Sequence, residues 1–280
     1  MDRDGNAGMS IQLVSDQKIA ETSSKGNQEK WLEKGLDRWY KLDQFGYEAL
    51  AETLISTLLA QSNIESDTPF TFVRYQMERL RVHGRQRTGC ASGNFLQPGQ
   101  SLITVNRLLS SVLGMPLAKK LAQLPSNKRR IEFLGQATAH YTGLREFARY
   151  LTLLFEIDSL FCNDDRHLNN IAVIEQSGSY SYCPVFDNGA GLLSNVQLSP
   201  MDIQPKALMN VLRARPFGTT FTRQANAARS LTGRQLKLPL FTQEQLGQAM
   251  RPLLEYYPAR DRDLIADRVL TCILTRQRVL

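Results

Sequence analysis

Apolar positions in the first third of this chain come in short bursts, whereas beyond it they recur mostly at helical spacing. Trp31-Leu32 and then Arg38-Trp39-Tyr40-Lys41-Leu42 are short and aromatic-rich, and they predict two strands joined across a Glu33-Lys34-Gly35 turn. Residues 46–56 predict one helix, and the alternation over residues 70–77 predicts a further strand. Glycine and proline between Gly89 and Gly99 then punctuate a change of regime. After it, residues 115–124 form a helical stretch that stops at Pro125. Lys128-Arg129-Arg130 opens another, and Leu144, Phe147, Ala148, Leu151, Leu154 and Phe155 recur at helical spacing in a run to Leu160. Two apolar bursts follow, Ile171-Ala172-Val173-Ile174 and Tyr182-Cys183-Pro184-Val185-Phe186. The linker Glu175-Gln176-Ser177-Gly178-Ser179 is rich in turn residues, so the two predict a hairpin. Residues 201–212 contain a helix, and the tail is helical, with Thr242 and Gln245 in a capping-box pattern and Leu264, Ile265, Val269, Cys272 and Ile273 on one stripe.

Composition narrows the classes. With 280 residues and 42% hydrophobic content the chain can bury a large core. It has no run of about 18 apolar residues, which excludes a membrane-spanning helix, and its N-terminus lacks the basic-then-apolar pattern of a secretory signal. A cytoplasmic location is expected. Cys90, Cys162, Cys183 and Cys272 form no C-x-x-C pair, which argues against a zinc site or disulfide framework and for small buried apolar groups. A net charge of +7 suits an anionic partner without naming one. Arg79, Arg81, Arg85 and Arg87 around His83 read as a solvated loop or strand edge before they read as a grip for nucleic acid, and no DNA-binding motif, repeat or low-complexity tract is present.

The chemistry concentrates in Phe161-Cys162-Asn163-Asp164-Asp165-Arg166-His167-Leu168-Asn169-Asn170, a polar loop between the long helical run and the predicted hairpin. The hairpin returns Phe186-Asp187-Asn188-Gly189 toward it. Phosphoryl transfer needs little covalent chemistry and much positioning and charge neutralisation. One carboxylate orients the attacking hydroxyl and accepts its proton, and a second carboxylate with an amide oxygen holds the magnesium ions on the nucleotide phosphates. Asp165, Asp187 and Asn170 fit those roles, with Asn170 and Asp187 as metal ligands. His167 is read as a hydrogen-bonding brace for the loop, with proton shuttling as the alternative.

These residues carry a resemblance. Asp165-Arg166-His167-x-x-Asn170 followed by a hairpin and Asp187 resembles the HipA-like protein serine/threonine kinases, including their compact CtkA-like members. Ordinary protein kinases instead order the loop H-R-D-x-x-x-x-N and place the metal aspartate in D-F-G. Phosphoinositide kinases share the D-R-H-x-x-N loop. A second stretch separates them: Ser23, Gly26, Gln28, Glu29 and Lys30 stand in the order of the HipA-like phosphate loop. Small residues there let backbone N–H groups approach phosphate oxygens.

The resemblance implies an α+β bilobal protein-kinase-like fold. Residues 1–20 would be a flexible N-terminal segment, 21–96 a small β-rich lobe and 97–280 a larger helical lobe. It implies ATP and Mg2+ as cofactors and a protein Ser/Thr hydroxyl as substrate. Ser23, Ser24, Gly26, Asn27 and Gln28 would cradle phosphate, with Ser23 the self-inhibiting autophosphorylation site and Ser24 beside it. Lys41 would bind the phosphates, held by Glu48 with Glu52 as the alternative, since the two share one helix face. Backbone groups of Asn94, Phe95 and Leu96 would meet the adenine at the hinge. An antitoxin partner is compatible with the same kinship. A lipid or small-molecule kinase, or an idle nucleotide-binding interaction protein, remains the competing class.

Overall fold

The register of the small sheet decides which side chains share a face. The computed structural model describes residues 11–13 and 29–279. Ser23, Ser24, Gly26, Asn27 and Gln28 therefore lie outside the described residues, as does nearly all of the expected N-terminal segment. Five strands, β1 (Ile11–Leu13), β2 (Lys30–Glu33), β3 (Arg38–Leu42), β4 (Gln76–Val82) and β5 (Arg85–Gly93), stand in the order β1-β4-β5-β3-β2. All pairs are antiparallel except β1 with β4. Lys41 pairs with Lys30 on one side and Cys90 on the other, so the three share one face. On the opposite face Trp31, Tyr40, Leu42, Leu80, Val82 and Ala91 form their own buried cluster.

Against the Lys41 face packs α1 (Glu48–Leu59), buried on nearly every side. Its entry is close-fitting: a Cβ at Gly46 would overlap the Ser194 carbonyl, so only glycine lets α1 dock against the segment that follows Asp187. Asp43 Oδ1 accepts the Ala49 N–H at 2.6 Å, near the positive end of the helix, and Tyr257 donates to Asp43 Oδ2 at 2.7 Å. Burial pushes the Asp43 carboxyl up to about 8, with Glu48 adding to the rise. A carboxyl raised on folding contributes stability below its unfolded value, and that contribution is lost as pH rises toward the folded value. The window runs from 3.8 to about 8. Wild type is therefore expected to lose stability relative to Asp43→Asn as pH is raised through this window, measured as unfolding temperature against pH.

The chain beyond Gly93 is mainly helical. After a short α2 (Ile64–Asp67) in the first part come β6 (Ser101–Thr104), α3 (Val105–Leu113), α4 (Leu117–Ala122), α5 (Asn127–Thr142) and α6 (Phe147–Phe161). Then follow β7 (Ala172–Gln176), β8 (Ser179–Tyr182), α7 (Pro205–Val211), α8 (Phe221–Thr232), α9 (Gln243–Leu254) and α10 (Ala259–Arg276). Strands β6, β7 and β8 make a second sheet. Helix α6 is buried on nearly every side and runs through the main core, which also holds Leu50, Leu54 and Ile55 of α1 and Phe72 and Val185. The tail ties in through Arg268, which is buried and donates to Tyr47 and to the carbonyls of Leu193, Ser199 and Pro200. The fold is α+β, with a small β-rich portion and a larger helical one.

Several expectations shift. The strand expected over residues 70–77 starts only at Gln76, because Phe70, Phe72 and Val73 point into the core around an isolated bridge from Phe72 to Val185. The basic run is the β4–β5 hairpin itself, turning at His83-Gly84, both with positive φ. Its Arg79 donates to the Glu255 carbonyl and lies over Tyr256. The second hairpin is tighter than expected and turns at Ser177-Gly178, whereas residues 183–186 run on outside the ladder. Helix α8, helix α3 and strand β6 are additional to the expected elements. The capping box of Thr242 and Gln245 forms, and all four cysteines are buried and free.

Candidate active site

The long helix α6 ends where the loop chemistry begins. Cys162 takes a left-handed φ of 55°, and the Asn163 N–H closes onto the Asp158 carbonyl at 3.0 Å. The loop then turns on its own backbone, the His167 N–H donating to the Asp165 carbonyl at 2.7 Å and the Asn170 N–H to that of His167 at 2.8 Å. Asn170 Nδ2 donates to the Asp165 carbonyl at 3.2 Å, which fixes the amide and leaves its oxygen as an acceptor.

Arg166 binds this loop to the segment carrying Asp187. Its guanidinium is fully buried and donates to both Asp158 carboxylate oxygens at 3.2 Å, to the Phe186 carbonyl at 2.6 Å and to Asn188 Oδ1 at 2.7 Å. One arginine thus connects α6, the loop and the residues on either side of Asp187. Burial pushes the Asp158 carboxyl up to about 6, against the pull of Arg166. The brace assigned to His167 is therefore made by Arg166. His167 Nε2 lies 3.9 Å from Asp165 Oδ2, too far for a hydrogen bond, and its buried Nδ1 has no hydrogen-bond partner among the described residues.

Asp187 has a left-handed φ of 61°, a conformation that aspartate tolerates better than most residues. Lys41 Nζ reaches Asp187 Oδ1 at 2.8 Å and Glu52 Oε1 at 2.5 Å, and the other Glu52 oxygen accepts the Asn188 N–H at 2.9 Å. Burial alone would raise the Asp187 carboxyl, but Lys41 and Lys30 outweigh it and hold it well below the usual carboxylate range. Burial also works against the charge on Lys41, and there Asp187 and Glu52 prevail and raise it. Lys30 is lowered, by burial and by Lys41, against the pull of Asp187. The Tyr75 ring lies 5.1 Å from Lys41 Nζ, a cation–π contact that closes the cluster.

Glu48 does not hold Lys41. Its carboxylate turns back to accept the N–H groups of Phe45 at 2.7 Å and Gly46 at 3.0 Å. Glu52, one turn further along α1, faces the lysine. The reason is that the first turn of a helix has unpaired N–H groups at and before it, and a carboxylate there is drawn to them. The residues expected at the hinge, Asn94 to Leu96, follow directly on β5. Asn94 uses its amide locally, accepting from Trp39 Nε1 at 3.3 Å and the Leu96 N–H at 3.2 Å and donating to Asp37 at 2.9 Å. Phe95 packs on Phe186, with ring centroids 6.0 Å apart. The segment after Asp187 is pinned: the Leu192 N–H donates to the Phe161 carbonyl at 2.7 Å and Ser194 to the Gly189 carbonyl.

Three contributors went unassigned in the sequence. Lys30 reaches the site because the β2–β3 turn sets it opposite Lys41, which a register count from that turn could have found. Arg166 sat in the motif but gave no sign of pointing inward. Arg215, whose Nη1 lies 3.1 Å from Asp165 Oδ1, comes from a distant segment with no local signal. A cavity of about 510 Å³, lined in part by Arg38, Arg74, Gln76 and Asn94, includes none of the residues Lys41, Glu52, Asp165, Asn170 and Asp187.

The donor set suits a hard divalent cation. Asp187 and Asn170 offer one carboxylate and one amide oxygen, and magnesium takes the rest of its shell from phosphate and water. Among the described residues no group of three or more His, Cys, Asp or Glu could form an all-protein cage.

A lysine paired to a helix glutamate beneath a sheet, an aspartate after a hairpin and an Asp–Asn loop behind a buried helix together define a bilobal kinase-type fold. Comparison with solved structures agrees. The chain superposes on the Helicobacter pylori proinflammatory kinase CtkA with a TM-score of 0.55, at 13% identity over 92% of this chain and 93% of that one. It also aligns with a structure of the Shewanella oneidensis MR-1 toxin–antitoxin system of HipA, HipB and operator DNA, with a TM-score of 0.47 and 13% identity, spanning 64% of that chain. The fold of this chain is therefore the one seen in CtkA. No protein-family model and no curated protein matches the sequence. No helix among the described residues is long and apolar enough to cross a membrane.

Proposed function

We propose that this chain is an ATP- and magnesium-dependent serine/threonine protein kinase of the HipA-like type, acting in the cytoplasm and phosphorylating its own phosphate loop. The observation that carries the reading is the buried Lys41–Glu52–Asp187 cluster, joined through Arg166 to the loop that presents Asp165 and Asn170. Lys41 and Lys30 supply positive charge for nucleotide phosphates, and residues 94–96, which follow directly on β5, are read as the hinge whose backbone groups would meet an adenine edge. Asp165 is half-exposed and accessible to a hydroxyl; it orients that hydroxyl and accepts its proton as the oxygen attacks the terminal phosphorus. Asp187 and Asn170 would hold magnesium, which would neutralise charge on the nucleotide phosphates.

The preference for protein hydroxyls over lipid rests on the Ser23-to-Lys30 phosphate-loop resemblance, as does the assignment of Ser23, with Ser24 as its neighbour, to autophosphorylation. A phosphoserine there adds about −1.5 to −2 charge beside the nucleotide phosphates and repels them. The same kinship supports an antitoxin partner. The test is intact mass after incubation with ATP and magnesium, with peptide mapping. Wild type is expected to gain phosphate at Ser23 or Ser24. Transfer to lipid vesicles and to no protein would move the assignment to a lipid kinase, and nucleotide binding without any transfer to an idle interaction protein.

A further inference from the structure

Asp165 carries a partner that the catalytic loop does not provide. Arg215 Nη1 lies 3.1 Å from Asp165 Oδ1, and both side chains are about half exposed. An exposed ion pair of this kind contributes little to stability, so its position over the proposed base calls for another explanation. The backbone beneath it is firmly held. The Arg215 carbonyl accepts from Gln224 Nε2 at 2.7 Å, and Gln224 is buried. The Ala214 N–H donates to the Thr219 carbonyl at 2.7 Å, and the Gly218 N–H to that of Ala214 at 2.9 Å. Phe217 packs edge-on against Phe155 of α6, with centroids 6.0 Å apart. The guanidinium is thus displayed from a fixed turn, resting on the helix that leads into the catalytic loop.

The other cations of the site are committed elsewhere. Lys41 and Lys30 belong to the Asp187 and Glu52 end, and Arg166 is turned inward onto Asp158, Asn188 and backbone carbonyls. As a phosphoryl group moves, charge spreads over its equatorial oxygens at the point where the acceptor hydroxyl also meets Asp165, and a fixed guanidinium there lowers the barrier.

Resting on the kinase reading above, we propose that Arg215 is a catalytic residue that contacts the phosphoryl group in flight. In that step the acceptor oxygen bonds to the terminal phosphorus, its proton passes to Asp165, and the bond from phosphorus to the bridging oxygen breaks, so that ADP leaves with the electron pair. Arg215 stays protonated throughout.

The experiment compares full-length wild type, Arg215→Ala, Arg215→Lys and Asp165→Ala for phosphate transferred from ATP to the chain, followed as intact mass over time at several ATP concentrations. Arg215→Ala is expected to lower the maximal rate on the order of 100-fold, with KM for ATP and the thermal unfolding temperature unchanged. Arg215→Lys should recover part of the loss. Millimolar guanidinium should restore part of the rate to Arg215→Ala and none to Asp165→Ala, a response that a purely structural role would not give. A rate for Arg215→Ala equal to or above wild type, while Asp165→Ala is inactive, overturns the role of Arg215 and leaves the kinase reading standing. Absence of transfer by wild type overturns both.

Discussion

Asp165→Ala is expected to reduce phosphate transfer by at least about 100-fold, because a positioned general base contributes roughly 10²- to 10⁴-fold. Nucleotide affinity should be nearly unchanged. The Asp165 carboxylate takes no part in the Lys41 cluster, and among the described residues it faces Arg215 and, at 3.9 Å, His167. Fold stability should also hold, since the side chain is about half exposed. Nucleotide titration by calorimetry beside the transfer rate separates these effects, and a parallel loss of binding would place Asp165 in the nucleotide site instead. If expression of the wild-type chain arrests growth, as the antitoxin reading requires, Asp165→Ala should relieve the arrest.

The second large effect belongs to Glu52. Its carboxylate is fully buried between Lys41 Nζ and the Asn188 N–H. Removing one partner of such a buried pair costs roughly 3–5 kcal/mol, much of it the charge and donor left behind. Glu52→Ala is therefore expected to lower unfolding stability by about 3 kcal/mol, at the low end because Lys41 keeps Asp187. It should also raise KM for ATP, as the lysine is left to Asp187 alone. Glu48→Ala removes the acceptor for two backbone N–H groups and should cost only about 1–2 kcal/mol, with KM for ATP close to wild type. Urea unfolding and ATP kinetics on both variants decide the matter. An effect of Glu48→Ala on KM as large as that of Glu52→Ala would contradict the assignment.

Much of the site could be read locally because its chemistry is local. Asp165, Arg166, His167 and Asn170 fall within one loop turn, and the hairpin that brings Asp187 back announces itself through its apolar bursts and its Ser177-Gly178 turn. The helix carrying two glutamates on one face was equally plain. Which glutamate serves Lys41 was not, since residues four apart on a helix share a face and only the docking of α1 against β3 selects between them. His167 shows the same limit: the type of residue suggested a brace, yet the inward rotation of the neighbouring Arg166 supplied it.

The sequence by itself determined the loop that carries Asp165 and Asn170, the answering Asp187 and the lysine strand, since each rests on periodicity, turn chemistry or a short motif acting within a few residues, and the class of fold followed from the family resemblance those motifs carry. Tertiary structure alone decided that Glu52 and not Glu48 meets Lys41, that Arg166 and Asp158 lock the loop from beneath, and that Arg215 reaches Asp165 across 50 residues. Those pairings depend on strand register and on the packing of distant segments, and side-chain contacts between remote elements leave no periodic trace along the chain.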